Sequence, residues 1–228
     1  MAVIAICLTS HFYANAQNDV LAAHFPGGSE AFWNKFQENF VFPASTMKGK
    51  RYGTSLMSLT INDDGLPVRS RFFSQIDEDI SAAISRALSK MSDDWKRFPP
   101  ETVLYLSIRF SFNNDYIGQL KLDKSVLTKE FAEFLYIQET SEDQTINYKK
   151  DYSQKLKAAK SAYKNAAFGK AKGGYTRLIA INPYELDFYT KRIEIETVTG
   201  AKTNACNDVR VLHNLLNYQG AVLLHGCD

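Results

Sequence analysis

Gly53-Thr54-Ser55-Leu56-Met57-Ser58-Leu59-Thr60-Ile61-Asn62-Asp63-Asp64-Gly65 is the stretch whose pattern decides the fold. From Gly53 to Asn62 the residues alternate. Met57, Leu59 and Ile61 share one face and Leu56, Ser58 and Thr60 the other, the two-residue period of a half-buried strand. Asn62 to Gly65 then reads as a hairpin turn, because glycine accepts the positive φ that a tight reversal needs. Leu66 to Phe73 is the expected return strand.

Working outward, Ser29 is placed to cap a helix carrying Phe32, Trp33, Phe36 and Phe40 on one stripe, and Pro43 ends it. Downstream, Ile76, Ile80, Ala83, Ile84, Ala87, Leu88 and Met91 line one face of a second helix. Asp77, Glu78 and Asp79 in its first turn and Lys90 in its last suit the helix dipole. After Trp95 and Pro99-Pro100, Val103 to Phe112 alternates again. Leu104, Leu106, Ile108, Phe110 and Phe112 point inward, and Val103, Tyr105, Ser107, Arg109 and Ser111 point outward. The order helix, hairpin, helix, strand predicts an α+β unit, a small antiparallel sheet with two helices on its apolar face. Trp95 reads as a core plug before a contact residue.

Residues 113–140 read as a connector, with strand character at Ile117, Leu120 and Leu122 and a short helix expected over Lys129 to Tyr136. The polar run Glu139-Thr140-Ser141-Glu142-Asp143 marks the expected domain boundary, so 141–228 is expected to be a separate all-α domain. Within it Ala171, Tyr175, Leu178 and Pro183 hold the spacing of small, aromatic and helix-ending residues found in the second half of a tetratricopeptide repeat. This segment resembles that repeat. One period of about 34 residues further on lies Ala205. Tyr189 takes the aromatic position near the start of that unit. The resemblance implies two degenerate repeats of paired helices and a capping helix from Tyr218 to His225. Lys149, Lys150, Lys155, Lys157, Lys160, Lys164, Lys170 and Lys172 face a single aspartate over the same span. They read as a solvated helix face before a landing patch for an acidic partner.

The chain has 228 residues, 45% of them hydrophobic, which suffices for a sizeable core. Its formal charge of +2 argues against nucleic acid or an anionic membrane surface as the main partner. Residues 1–17 carry no charged side chain and run from an apolar stretch, Ala2 to Leu8, into Ala14-Asn15-Ala16, a small-x-small cleavage pattern. That predicts a signal peptide cleaved near Ala16, an exported protein starting near Gln17, and no membrane span thereafter. Of the three cysteines Cys7 leaves with the signal, and Cys206 and Cys227 remain as an expected disulfide. If they sit on antiparallel helices about a turn near Asn217, a rise of about 1.5 Å per residue brings both sulfurs to similar height. The rival is a metal site built from Cys206, His213, His225 and Cys227, whose spacing fits no zinc pattern. His11, His24, His213 and His225 are scattered. No HExxH pair, nucleophile elbow or glycine-rich phosphate loop occurs, so no cofactor or catalytic residue is expected. Dispersed catalytic residues would leave no such trace, and an enzyme stays open as an alternative.

Phe25-Pro26-Gly27-Gly28, Asn39-Phe40-Val41-Phe42-Pro43, Gly53, Asn62-Asp63-Asp64-Gly65 and Trp95 together resemble the C-terminal domain of TonB, over Phe25 to Phe112. The chain differs from that pattern at Met91 to Lys96, one residue longer than the family's run, and lacks the proline before the phenylalanine of the last strand. The resemblance implies a non-catalytic, protein-binding adaptor of the periplasm, with protein or peptide partners that include outer-membrane receptors. In that family a partner segment is added as an extra strand, which makes the last strand, with Tyr105, Arg109 and Ser111, the expected partner-binding edge. Energy-transducing members have an inner-membrane helix and a proline-rich spacer; six prolines in all leave this chain without such a spacer. The alternative is an envelope scaffold or assembly protein that uses the fold without a transport role.

Overall fold

The computed structural model describes residues 21–96, 101–112, 120, 123–138, 146–218 and 227. Its elements are α1 (Gly28–Asn39), α2 (Ala44–Lys48), β1 (Gly53–Ile61), β2 (Pro67–Ser74), α3 (Glu78–Lys90), a 3-10 turn (Ser92–Asp94), β3 (Thr102–Ser111), β4 (Ala132–Ile137), α4 (Tyr148–Lys164), α5 (Phe168–Ile181), α6 (Leu186–Val198) and α7 (Lys202–Asn214). The chain is thus a mixed α+β protein with a four-stranded sheet and, among the described residues, seven helices. The expected signal segment and the polar boundary run lie outside the described residues, as do Ile117, Leu122 and most of the expected capping helix.

The hairpin forms where the alternation put it. Gly65 has φ 84°. Asn62 closes the turn twice, its carbonyl accepting from the Gly65 N–H (3.0 Å) and its Oδ1 from the Leu66 N–H (2.8 Å). Met57, Leu59 and Ile61 of β1 and Leu104, Leu106, Ile108 and Phe110 of β3 meet α1 and α3 in one core. The α3 N-terminus is fixed by Asp77, whose Oδ1 accepts from the Ile80 N–H (2.8 Å) while its Oδ2 accepts from the Thr46 hydroxyl (2.9 Å). At α1 the expected cap is displaced. Gly27, at φ 83°, precedes a helix that starts at Gly28, and Ser29 lies inside it. Trp33 stacks on Phe36 (5.3 Å) and on Phe134 (5.1 Å), and Trp95 meets Phe25 (5.2 Å) edge-on, as a core plug does.

Two expectations fail in the sheet. It is not wholly antiparallel: the strand order is β2-β1-β3-β4, with β1 antiparallel to β2 and to β3 but β4 parallel to β3. The short helix expected over Lys129 to Tyr136 is instead β4. Ala132, Phe134 and Tyr136 join the core under α1, while Leu135 and Ile137 on the opposite face are also partly covered, so the two-residue period is erased by apolar residues on both sides. Ladder hydrogen bonds to β3 then override the helix propensity of Lys, Glu, Ala and Leu.

The second face of the sheet is not solvated. Every residue of β1 is buried. Each of α4 to α7 packs on the next, and the core they form takes in Phe73, Tyr105 and Phe131 from the sheet side. The contact is close: a Cβ at Gly53 would lie 2.1 Å from the Ala180 carbonyl oxygen of α5. Polar ties cross it too, with the Tyr52 hydroxyl donating to Asp151 Oδ2 (2.5 Å) and the Phe112 N–H to the Tyr148 hydroxyl (2.8 Å). The sheet is therefore sandwiched between α1 with α3 and the helices after residue 146, where a separate helical domain was expected.

Candidate binding site at the β2 margin

Of the three expected partner-binding residues, two are buried and Tyr105 is half-buried. Tyr105, Arg109 and Ser111 do share the face opposite the α1–α3 core, but helices cover that face, and Arg109 and Ser111 are buried. The β3 margin they were to present is paired with β4 along Leu106 to Ser111. Arg109 serves the interior: its Nη2 lies 3.5 Å from Glu133 Oε1, while Lys124 pairs with Oε2 of the same carboxylate. Beside it the Tyr184 hydroxyl shares a hydrogen bond with Ser107 (3.2 Å). Burial, and then the Arg109 charge, hold the Lys124 ammonium below its ordinary range.

The expected repeat-packing residues do come together. Ala171, Tyr175, Tyr189 and Ala205 belong to one buried cluster, and Pro183 follows α5, its carbonyl accepting from the Tyr189 hydroxyl (3.1 Å). Cys206 and Cys227 are joined at disulfide distance with Cα atoms 5.1 Å apart. That pairing takes both sulfurs from the rival metal set, of which His225 lies outside the described residues. Among the described residues no cluster of three metal-ligating side chains occurs.

The outer strands of the sheet are β4 and β2, of which the more exposed is β2. Its outer side pairs with no strand among the described residues, and Val68, Arg69, Ser70 and Arg71 are exposed along it. The register against β1 skips Val68 and Phe73, so both are bulged and Arg69 to Phe72 forms the regular run between them. The Ser74 hydroxyl pins the second bulge, donating to the Thr54 carbonyl (3.0 Å) and accepting from the Leu56 N–H (3.1 Å). Arg69 and Arg71 make no ion pair among the described residues; Arg71 instead lies 5.5 Å from the Phe73 ring centroid.

Behind this margin is a cavity of about 360 Å³, bounded by Arg71 and Phe73 of β2, Thr176 of α5, Glu196 of α6, and Asn204 and Asp208 of α7. Its floor is a polar cluster. Arg192 grips Asp208 with two parallel bonds, Nε to Oδ2 and Nη2 to Oδ1, both 2.6 Å, and its Nη1 donates to the Thr176 hydroxyl (3.1 Å). Glu196, 3% exposed, pairs through Oε1 with the Lys172 ammonium (3.2 Å), while its buried Oε2 has no hydrogen-bond partner among the described residues. Burial, and then the Asp208 charge, push the Glu196 carboxyl above its ordinary range against the pull of Lys172 and Arg192.

Sequence reasoning missed this cluster, though a signal was present. Glu196 follows Tyr189 and Ile193 at helical spacing, and Asp208 lies between Ala205 and Leu212, so each acid interrupts an apolar stripe. An acid on a buried stripe needs a partner, which is itself a mark of a site. No family model, curated protein or solved structure matches the chain.

Proposed function

We propose that this chain is a non-catalytic protein-binding module of the periplasm, which holds an extended segment of its partner as an added strand along β2. The observation that carries this is the exposed outer side of Arg69 to Phe72, a regular ladder run with no partner strand among the described residues. Main-chain hydrogen bonds there would supply affinity, and Arg69 and Arg71 would favour acidic residues opposite them. Pro67 and the two bulges limit the run to about four residues, which also guards the edge against indiscriminate pairing.

Of the two roles open to such a module, envelope scaffold or assembly protein is favoured over receptor transport. The TonB resemblance would put a receptor segment on β3, and β4 occupies that position. A photoreactive amino acid placed in the full chain at Arg69, and separately at Glu133, tests both points in cells. Adducts from Arg69 alone, with envelope scaffold proteins, are the expected result. Outer-membrane receptors among the Arg69 adducts would return the transport role, and no adducts at Arg69 would refute strand addition at β2.

A further inference from the structure

We propose that the outer face of α4 is a second docking surface, independent of β2. It holds an acidic helical segment of a partner protein on a row of four lysines, Lys150, Lys157, Lys160 and Lys164.

α4 packs chiefly on α5 and gives Tyr152, Leu156, Ala159 and Tyr163 to the helical core. At about 100° per residue the four lysines fall within about 80° of one another on the opposite side. All four are exposed, and none enters an ion pair among the described residues. Two lysines of the same run are accounted for inside the chain: Lys155 pairs with Asp151 and Lys172 with Glu196. The one aspartate of the run is therefore committed to a lysine outside the row.

These charges sit where helix stability disfavours them. Lys157 and Lys160 are three residues apart and Lys160 and Lys164 four, the spacings at which like charges repel. Lys149 and Lys150 lie in the first turn of α4 and Lys170 in that of α5, against the helix dipole. α3 has the opposite arrangement, with Glu78 and Asp79 in its first turn and Lys90 in its last. Residues 149–172 hold eight lysines and one aspartate, a net of +7, so the rest of the chain carries −5 within the total of +2. A field this lopsided steers an acidic partner to one side of the molecule.

The spacing of the row selects a helix as the occupant. Lys150, Lys157 and Lys164 are one heptad apart, about 10.5 Å along the axis. Carboxylates that recur every seven residues on a second helix meet them as flanking charges do in paired helices. The row drifts by about 20° per heptad, so a helix crossing at a shallow angle stays over it. Ser153, Gln154, Ala158 and Ser161 are the other exposed residues of this face. They supply no guanidinium fork for phosphate, no aromatic ring for a base and no large apolar side chain for a lipid surface. At the start of the row a cavity of about 300 Å³ is lined by Lys50 and Lys150. Its Asp151 is already bonded to Tyr52 and Lys155, so an entering carboxylate meets two uncommitted cations.

Four probes test this on the full chain. They are an alanine-rich helical peptide of about 21 residues with glutamates at i and i+4 of every heptad, the same composition with its glutamates spread round the helix, a thymidine oligonucleotide, and vesicles containing phosphatidylglycerol. Binding is read by fluorescence anisotropy of labelled probe or by co-sedimentation with vesicles. The bound face is read by lysine acetylation and mass spectrometry, with exposed Lys48 and Lys90 as references. We expect the heptad peptide to bind about threefold or more tighter than the scrambled one, and to protect Lys150, Lys157, Lys160 and Lys164 but not Lys48 or Lys90. With each exposed pair worth about twofold, replacing the four lysines by glutamine should weaken binding about tenfold. The footprint on the unaltered chain decides the matter even if that variant folds poorly. Equal binding of the scrambled peptide, or protection confined to the β2 amides in hydrogen exchange, overturns the proposal. Tighter binding of the oligonucleotide or the vesicles with the same four lysines protected overturns the choice of an acidic helix. Concentration-dependent dimerisation that the glutamine variant abolishes makes a second copy of this chain the occupant and overturns it likewise.

Discussion

Gly53→Ala tests whether the sheet and the later helices form one cooperative body. Gly53 opens β1 opposite Phe110 at φ 150°, and an added Cβ would lie 2.1 Å from the Ala180 carbonyl oxygen and 2.8 Å from its carbon. Carbon and oxygen of facing backbones settle at about 3.3 Å, so strand and helix must separate by roughly 1 Å. Both atoms met are backbone, in elements anchored on both sides, and no rotamer can relieve the overlap. Overpacking of this kind costs about 1–3 kcal/mol, and a side chain in a glycine-only backbone region about 1–3 kcal/mol more. The expected loss is about 4 kcal/mol, or roughly 8–16 °C in Tm for a chain of this size. Thermal and urea unfolding should be followed by helix ellipticity and, separately, by Trp33 and Trp95, which lie in the core under α1 and α3. Both signals should move together. A loss under about 1 kcal/mol, or a shift in one signal alone, would refute the packing described here.

Adjacent glycines of α5 should respond with opposite signs. Gly173 has open space where a Cβ would go, so Gly173→Ala should stabilise by about 0.5–1 kcal/mol. A Cβ on Gly174 would lie 2.8 Å from the Ala159 Cβ of α4, so Gly174→Ala should destabilise by about 1–3 kcal/mol, both read from urea midpoints. Burial alone would raise the Asp151 carboxyl, but hydrogen bonds from Lys155 and Tyr52, with the charges of Lys155 and Arg177, bring it below its ordinary range. Its contribution is thus full above the unfolded pKa of about 3.9 and lost as pH falls through the lower folded value. The midpoint gap between wild type and Asp151→Asn should shrink as pH drops from 6 towards 3, and a constant gap would contradict this. The Cys206–Cys227 bond spans 21 residues, so reduction should cost about 3 kcal/mol. Free thiols at both positions without added reductant, by mass spectrometry, would remove it.

What was legible in the sequence was whatever one period governs. β1, α3 and β3 were each placed within a residue or two, because each sends its larger apolar side chains to the core under α1 and α3 and so keeps a two- or 3.6-residue rhythm, and β2 was placed by the turn that precedes it. β4 was illegible for the opposite reason. Phe131 packs into the helical cluster and Phe134 into the core under α1, so Phe131-Ala132-Glu133-Phe134-Leu135-Tyr136 shows no alternation and favours helix by composition. Parallel pairing adds to the difficulty, since the partner of β4 lies some 26 residues back in the register Leu106 to Ala132 and no turn motif announces it. Once β4 was missed, the outward residues of β3 read as a surface.

The same blindness explains the misplaced site. Tyr105, Arg109 and Ser111 were polar positions on an alternating strand, and polarity normally marks the solvated face of an antiparallel sheet. Here that face is lined instead by Thr54, Ser58, Thr60, Ser107 and Ser111, small hydroxyl side chains on which helices can sit close. A hydroxyl under a helix and a hydroxyl in water look alike in a sequence; only the depth of the second layer separates them. The residues that do reach a margin, Val68 to Arg71, lie on a return strand whose pattern two bulges break. Broken alternation there is the physical mark of an edge, since a central strand cannot lose register twice without unpairing a neighbour.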